Sequence, residues 1–275
     1  MTSPAVPQTI QVRHCSEHDH FDACVRVQER IWGHGLAVPS TMIVAVHHAG
    51  GQVLGAFDGQ NLIGFILAFL GTRGLPARSG SAQRIETPFL HSQIAAVLPE
   101  YRDRGVGRSL KLFQREDALD RGIGLIEWTF DPLELKNAHF NLVRLGAVAR
   151  RIIPNCYGIT ASALHAGMPT DRLVAEWWLA SERVKNIIEG RPAAAIQSVT
   201  RISIPADISE RKSTDRDAAL RIQSEAREQF QKWFSQDYAA TSVEKRGEVV
   251  DYILEPADAI SGLRLPPLVG SERSR

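Results

Sequence analysis

One stretch constrains this chain more than any other: Ala95-Ala96-Val97-Leu98-Pro99-Glu100-Tyr101-Arg102-Asp103-Arg104-Gly105-Val106-Gly107-Arg108-Ser109-Leu110. An apolar run stops at a proline, a short basic loop with two glycines follows, and a helical pattern begins. A strand that feeds a glycine-containing turn into a helix builds an anion site. The free N–H groups of the first helical turn and the positive end of the helix dipole converge on one place. Gly105 and Gly107 let the backbone take up positive φ and come close to a phosphate. Arg102, Arg104 and Arg108 add positive charge around it.

Two nucleotide signatures are excluded. G-x-x-x-x-G-K-[ST] is absent, and Gly105-Val106-Gly107 is followed by Arg108-Ser109-Leu110, so the dinucleotide fingerprint lacks its third glycine. What remains is R-x-x-G-x-G, carried by Arg102, Gly105 and Gly107. Taken alone, these residues also describe a basic turn that caps a helix. With Val97-Leu98-Pro99-Glu100-Tyr101 before it, the pattern resembles the pyrophosphate signature of the GNAT acyltransferases, which use acyl-coenzyme A. Asp103 departs from the signature, since many members carry glycine there, and it adds a negative charge beside the expected pyrophosphate.

The order of patterns along the chain agrees with that resemblance. Val106, Leu110 and Phe113 recur at i, i+4 and i+7, extended by Leu112 and Leu119, and Gly122 is placed to end this helix. Leu125–Phe130 reads as a buried strand and Asp131-Pro132 as a turn. Ala138, Leu142 and Leu145 repeat the helical spacing before Gly146. Upstream, Ile10–Arg13 suits a first strand, and Phe21, Cys24, Val25, Ile31 and Trp32 mark an amphipathic helix. Asp58-Gly59-Gln60-Asn61 is a hairpin signal between Gln52–Phe57 and Leu62–Leu70. The resemblance covers about the first two thirds of the chain. It implies an α/β (α+β) fold with a mixed, largely antiparallel central sheet flanked by helices. Trp128–Leu133 with Asn137, Ala138 and Asn141, and Pro169–Arg172 with Glu176-Trp177, look like one GNAT subgroup without a secure substrate.

At 275 residues the chain can hold one large or two small domains. The expected division is an acyltransferase domain over 1–185, a C-terminal β-α-β-β appendage over 195–258 packed on it, and a disordered tail over 259–275. Arg201–Pro205 reads as a short strand. Ala219, Ile222, Ala226, Phe230 and Trp233 form a helical stripe opened by Ser213-Thr214-Asp215, and Tyr238–Val243 and Val249–Leu254 read as two more strands. So small a unit needs a partner surface for its apolar face. A formal net charge of +1 gives no field that would draw nucleic acid or an acidic membrane. No signal-peptide core or run of about 20 apolar residues is found. Cys15, Cys24 and Cys156 are odd in number and form no C-x-x-C, which fits a reducing cytoplasm.

Acyl transfer from a thioester requires a neutral amine, a polarised carbonyl and a proton for the departing thiolate. The resemblance implies that backbone at Val97 and Leu98 holds the pantetheine arm, and that the segment Arg102, Asp103, Arg104, Gly105, Val106, Gly107, Arg108 binds the pyrophosphate. It also makes Asn137 a partner of the arm. The general base should project from the strand before Val97. His91 fits, with an unperturbed pKa near 6.5, and Glu86 lies just upstream. Glu127 and Asp131 are rivals, although Glu127 on an alternating strand could simply face outward. The usual GNAT acid is a tyrosine four residues before the helix-ending glycine. Leu142 occupies that position here, and Tyr157 is the substitute in the following loop. Arg150, Arg151 and Arg172 are candidates for a substrate carboxylate. His14, His18, His20, His47 and His48 lack zinc-site spacing, so no metal is expected. The expected activity is N-acyl transfer, acetyl or succinyl-like, from acyl-CoA to a small-molecule amine such as an amino acid. A homodimer is compatible with it. The competing readings are a non-catalytic CoA-binding sensor or scaffold and a protein N-terminal or lysine acetyltransferase.

Overall fold

The computed structural model describes residues 10–75, 85–158, 167–191, 199–260 and 262–263. Ten strands form one continuous sheet: β1 (Gln11–His14), β2 (Gln52–Asp58), β3 (Asn61–Leu75), β4 (Ile85–Val97), β5 (Leu125–Phe130), β6 (Val148–Ile153), β7 (Arg172–Trp178), β8 (Thr200–Pro205), β9 (Tyr238–Arg246) and β10 (Val249–Pro256). Their order across the sheet is β1-β2-β3-β4-β5-β7-β6-β9-β10-β8. Neighbours pair antiparallel apart from β4 and β5, which run parallel. The helices are α1 (His18–Trp32), α2 (Ser40–His48), α3 (Val106–Asp120), α4 (Leu135–Ala138), α5 (Glu182–Ile188), α6 (Ile208–Thr214) and α7 (Arg216–Phe234). The fold class is the expected one, a mixed and largely antiparallel sheet with flanking helices. No described helix is long and apolar enough to cross a membrane.

Local sequence accounts for much of this. Asp58 faces Asn61 across a two-residue turn in which Gly59 has φ 61, so the β2–β3 hairpin closes where the Asp-Gly signal stands. α1 buries Phe21, Cys24, Val27 and Gln28, a face rotated slightly from the expected one, with Val25 half-buried. β3 runs five residues past its expected end at Leu70, because Gly71 to Leu75 continue to pair with β4. Their backbone groups are satisfied by the ladder whatever their side chains prefer. The helix expected before Gly146 is short: α4 passes at His139 into a π-helical turn over His139–Arg144. Ala138, Leu142 and Leu145 are nonetheless all buried, and Gly146 ends the segment with φ 77.

The C-terminal elements extend the sheet through a bridge between Ala149 of β6 and Ala240 of β9. Asp215 caps α7 by accepting from the Ala218 N–H at 3.0 Å. The buried stripe of α7 is Ala219, Gln223, Ala226 and Phe230, with Ile222 and Trp233 half-buried. α6 was not foreseen. One apolar core runs from Phe57 and Phe65 through Trp177 to Ile204, Phe230 and Tyr252. Polar ties cross the same boundary: the Tyr252 hydroxyl donates to the Pro132 carbonyl at 2.7 Å, and the Lys212 ammonium reaches Asp131 at 3.0 Å and Glu134 at 2.8 Å. The expected tail lies mostly outside the described residues; its first part, up to Ala259, ends a 3-10 turn and Ile260 is buried.

Candidate active site

The turn between β4 and α3 has the geometry of an anion cradle. After Val97 the chain makes a 3-10 turn over Pro99–Tyr101. Asp103 then adopts φ 58 and Gly105 φ 80, both left-handed. Aspartate tolerates that region better than most residues, so Asp103 can hold this conformation. Gly105 is the N-cap of α3 and provides no side chain to the helix end. Ser109 is the first residue whose N–H meets a carbonyl, that of Gly105 at 2.9 Å. The N–H groups of Val106, Gly107 and Arg108 thus stand at the open positive end of a helix of 15 residues. Arg102 and Arg104 are exposed beside the turn. Arg102 Nε donates to the Val97 carbonyl at 3.3 Å, and the Arg104 guanidinium lies over the Tyr101 ring. Arg108 turns the other way and donates to the Ile188 carbonyl at 3.2 Å.

A groove leads inward from this turn. β4 and β5 pair only at Leu90–Ile126 and His91–Glu127, and beyond these they part. On its other edge β4 carries a bulge: Ser92 faces Ala68 and Ile94 faces Leu67, leaving Gln93 as the extra residue. The gap opens a cavity of about 300 Å³. Residues Ser92 to Val97 of β4 form one wall and Trp128 and Thr129 of β5 the other. Gly107, Leu110 and Lys111 of α3, Trp32 of α1, and Asn137, Phe140 and Asn141 close it. A Cβ on Gly107 would come no nearer than 3.9 Å to Val97, so the space beside this glycine is free of protein. Leu98 is buried and donates its N–H to the Ile63 carbonyl, which fixes the strand end. A second cavity, of about 420 Å³, lies at the opposite ends of β4 and β5, beside Arg73, Phe89, Leu125 and Trp178.

The expected catalytic residues His91, Glu127 and Tyr157 are not among those that line the cavity. Ser92 begins the wall and bonds to the α3 side chains Lys111 and Gln114, so His91, the preceding residue, turns to the opposite face. His91 is half-buried, and desolvation lowers its pKa even though a hydrogen bond to Gln93 and the charge of Glu127 act in the other direction. Glu127 is buried, not outward-facing. It accepts from Arg73 Nη2 through both oxygens at 2.5 Å and from Arg151 at 2.7 Å. Glu176, opposite Glu127 in the ladder, is paired with Arg150 and with Arg151. Arg150 and Arg151, candidates for a substrate carboxylate, therefore spend their charge on these two glutamates. Asp131 is held by Lys212, and the Glu86 side chain lies outside the described residues. Tyr157 meets the groove through Thr129: its hydroxyl shares a hydrogen bond of 2.8 Å with Thr129 Oγ1. The guanidinium of Arg172 lies 5.6 Å from the centre of the Tyr157 ring. Leu142 is fully buried in the core.

Two groove residues were given no site role from the sequence, although Asn141 stood in the subgroup resemblance. Asn141 is buried, lines the cavity, and its Nδ2 has no hydrogen-bond partner among the described residues. Its spacing of four from Asn137 was the available signal. Lys111 is also buried. Its ammonium donates to Ser92 Oγ and Gln114 Oε1, each at 3.0 Å, and lies 4.0 Å from the centre of the Trp128 ring. Burial alone pulls its pKa down to about 7. The buried face of α3 is Val106, Leu110, Lys111, Gln114 and Ala118, whereas Leu112, Phe113 and Leu119 are only half-buried. Lys111 sits four residues after Gly107, one helical turn deeper on the same side.

No protein-family model matches the chain, and no curated protein matches it. Solved structures do. The chain is similar to Arabidopsis thaliana NAA60 in complex with acetyl-CoA, at 15% identity and TM-score 0.48 over 62% of this chain and 99% of that one. It is similar to Chaetomium thermophilum Naa20 in complex with a bisubstrate analogue, at 14% and 0.48 over 68% and 93%. It is also similar to the ribosomal-protein-S18-alanine N-acetyltransferase from Escherichia coli, at 13% and 0.46 over 61% and 92%.

Proposed function

We propose that this chain is a GNAT-type N-acyltransferase that moves an acyl group from acyl-CoA to the amine of a small molecule. One observation carries the reading: the uncapped N-terminus of α3, preceded by left-handed Asp103 and Gly105, opens on the groove where β4 and β5 part. The pyrophosphate would take the free N–H groups of Val106, Gly107 and Arg108 with Arg102 and Arg104 nearby. The pantetheine arm would lie along Val97 to Ser92, with Asn137 as a polar partner. The amine nitrogen attacks the thioester carbonyl, the C–S bond breaks, and CoA leaves as thiolate. His91, on the face of β4 opposite α3, would take the proton from an amine that approaches the thioester from that face, and the Tyr157 hydroxyl at Thr129 would supply the thiolate's proton. With Glu127 held by two arginines, its role is to order this face rather than to accept a proton.

A CoA-binding sensor or scaffold is the second reading, favoured by Leu142, buried where the family's acid would stand. A thiol-release screen of several acyl-CoAs against amines, amino acids and peptides decides between them. Turnover with a small amine supports the enzyme. CoA binding without turnover on any acceptor supports the sensor, and turnover on peptides alone transfers the activity to protein acetylation.

A further inference from the structure

The groove contains an ammonium that the acyl-CoA reading does not use. Lys111 has only 3% of its surface exposed, and its two hydrogen-bond partners, Ser92 Oγ and Gln114 Oε1, are neutral. Among the described residues it forms no ion pair. A lysine that merely packs extends its ammonium to water or to a carboxylate, because an isolated buried charge is costly. Here the surroundings are arranged for a cation that still lacks its counter-charge. Trp128 offers its ring face, and Gln114 is itself fixed by Gln52, whose Oε1 accepts from Gln114 Nε2 at 3.1 Å. The ammonium is therefore held in place, on the wall of the cavity.

Its depth identifies what would meet it. From Val97, beside the α3 N-terminus, to Ser92 is five strand residues, about 16 Å at 3.3 Å each. An extended pantetheine arm spans such a distance, so the acyl group reaches the Ser92 end of the groove. We propose that Lys111 selects the acyl donor: the groove takes a dicarboxylic acyl-CoA, of the malonyl or succinyl type, whose distal carboxylate pairs with the Lys111 ammonium. The inference rests on the acyl-CoA reading above and deepens it. The carboxylate supplies the missing counter-charge.

Two non-hydrolysable thioethers test it by calorimetry on the full chain: S-(2-carboxyethyl)-CoA, which carries the carboxylate, and S-propyl-CoA, which is close in size and neutral. The wild-type protein should bind the carboxylate form at least about tenfold more tightly, as one charge-assisted contact implies. In Lys111→Met that preference should vanish, while the affinities for S-propyl-CoA and for CoA itself stay within about twofold of wild type. Equal affinity of the wild type for the two thioethers overturns the proposal without any variant and leaves the acyl-CoA reading intact. A preference that persists in folded Lys111→Met overturns it too. Failure of CoA itself to bind removes the acyl-CoA reading, and this inference with it.

Discussion

At the scale of single residues, Glu127 and His91 occupy adjacent strands in register and have different environments. Glu127 is fixed by Arg73 and Arg151 and is nearly inaccessible. Glu127→Gln would leave the Arg73 guanidinium without its carboxylate and Arg151 with Glu176 alone, which should cost roughly 3 kcal/mol of stability, read as a lowered denaturation midpoint. An unchanged midpoint with lost turnover would mean that Glu127 is the base instead. His91 is half-buried and its pKa lies below 6.5, desolvation being the main cause. A base is active when unprotonated, so turnover should hold at neutral pH and fall only as pH drops below about 6.5. His91→Ala should lower turnover far more than CoA affinity and abolish that acid limb. A variant with the wild-type pH profile would exclude His91 as the base.

At the scale of elements, the β4–α3 turn makes a sharper prediction than either glycine alone. Gly105 has φ 80, so Gly105→Val should cost roughly 1–2 kcal/mol in backbone strain and weaken CoA binding by distorting the cradle. Gly107 is helical and its Cβ position is unobstructed, so Gly107→Val should leave the melting temperature nearly unchanged. It should still weaken CoA binding severely, because the side chain would fill the end of the groove where the pyrophosphate is proposed to sit. Calorimetry showing wild-type CoA affinity in both folded variants would remove the cradle from the argument. This turn, the Gly59 hairpin and β5 were legible because each depends on local chemistry: a glycine at positive φ, a free helix end, an apolar run between turns. The bulge at Gln93 and the π-helical turn after α4 were not, since they arise from how β4 meets β3 and how His139–Arg144 packs. Lys111 and Asn141 were missed for a related reason. A polar residue inside a periodic helix reads as solvent-facing until the neighbouring elements are in place.

At the scale of the whole molecule, the C-terminal elements share the core of the rest. β9 continues the sheet from β6, and Tyr252, fully buried, bonds back to Pro132 at the end of β5. Lys212 neutralises Asp131 and Glu134 in the loop that leads from β5 into α4. This loop precedes Asn137 and Asn141, which line the groove. Ending the chain after Lys185 would therefore do two things. It would strip Ile204, Phe230 and Tyr252 from a continuous core, exposing β6 as a free sheet edge of the kind that aggregates. It would also leave Asp131 and Glu134 without their ammonium and loosen the support of the groove's Asn137 wall. The truncated protein should aggregate or melt well below the full chain, and any soluble fraction should bind CoA more weakly. Static light scattering, thermal melts and CoA calorimetry read these outcomes separately. A truncated protein that stayed monomeric, equally stable and equally active would make residues beyond 185 an independent module, and the shared core would have no role in holding the site.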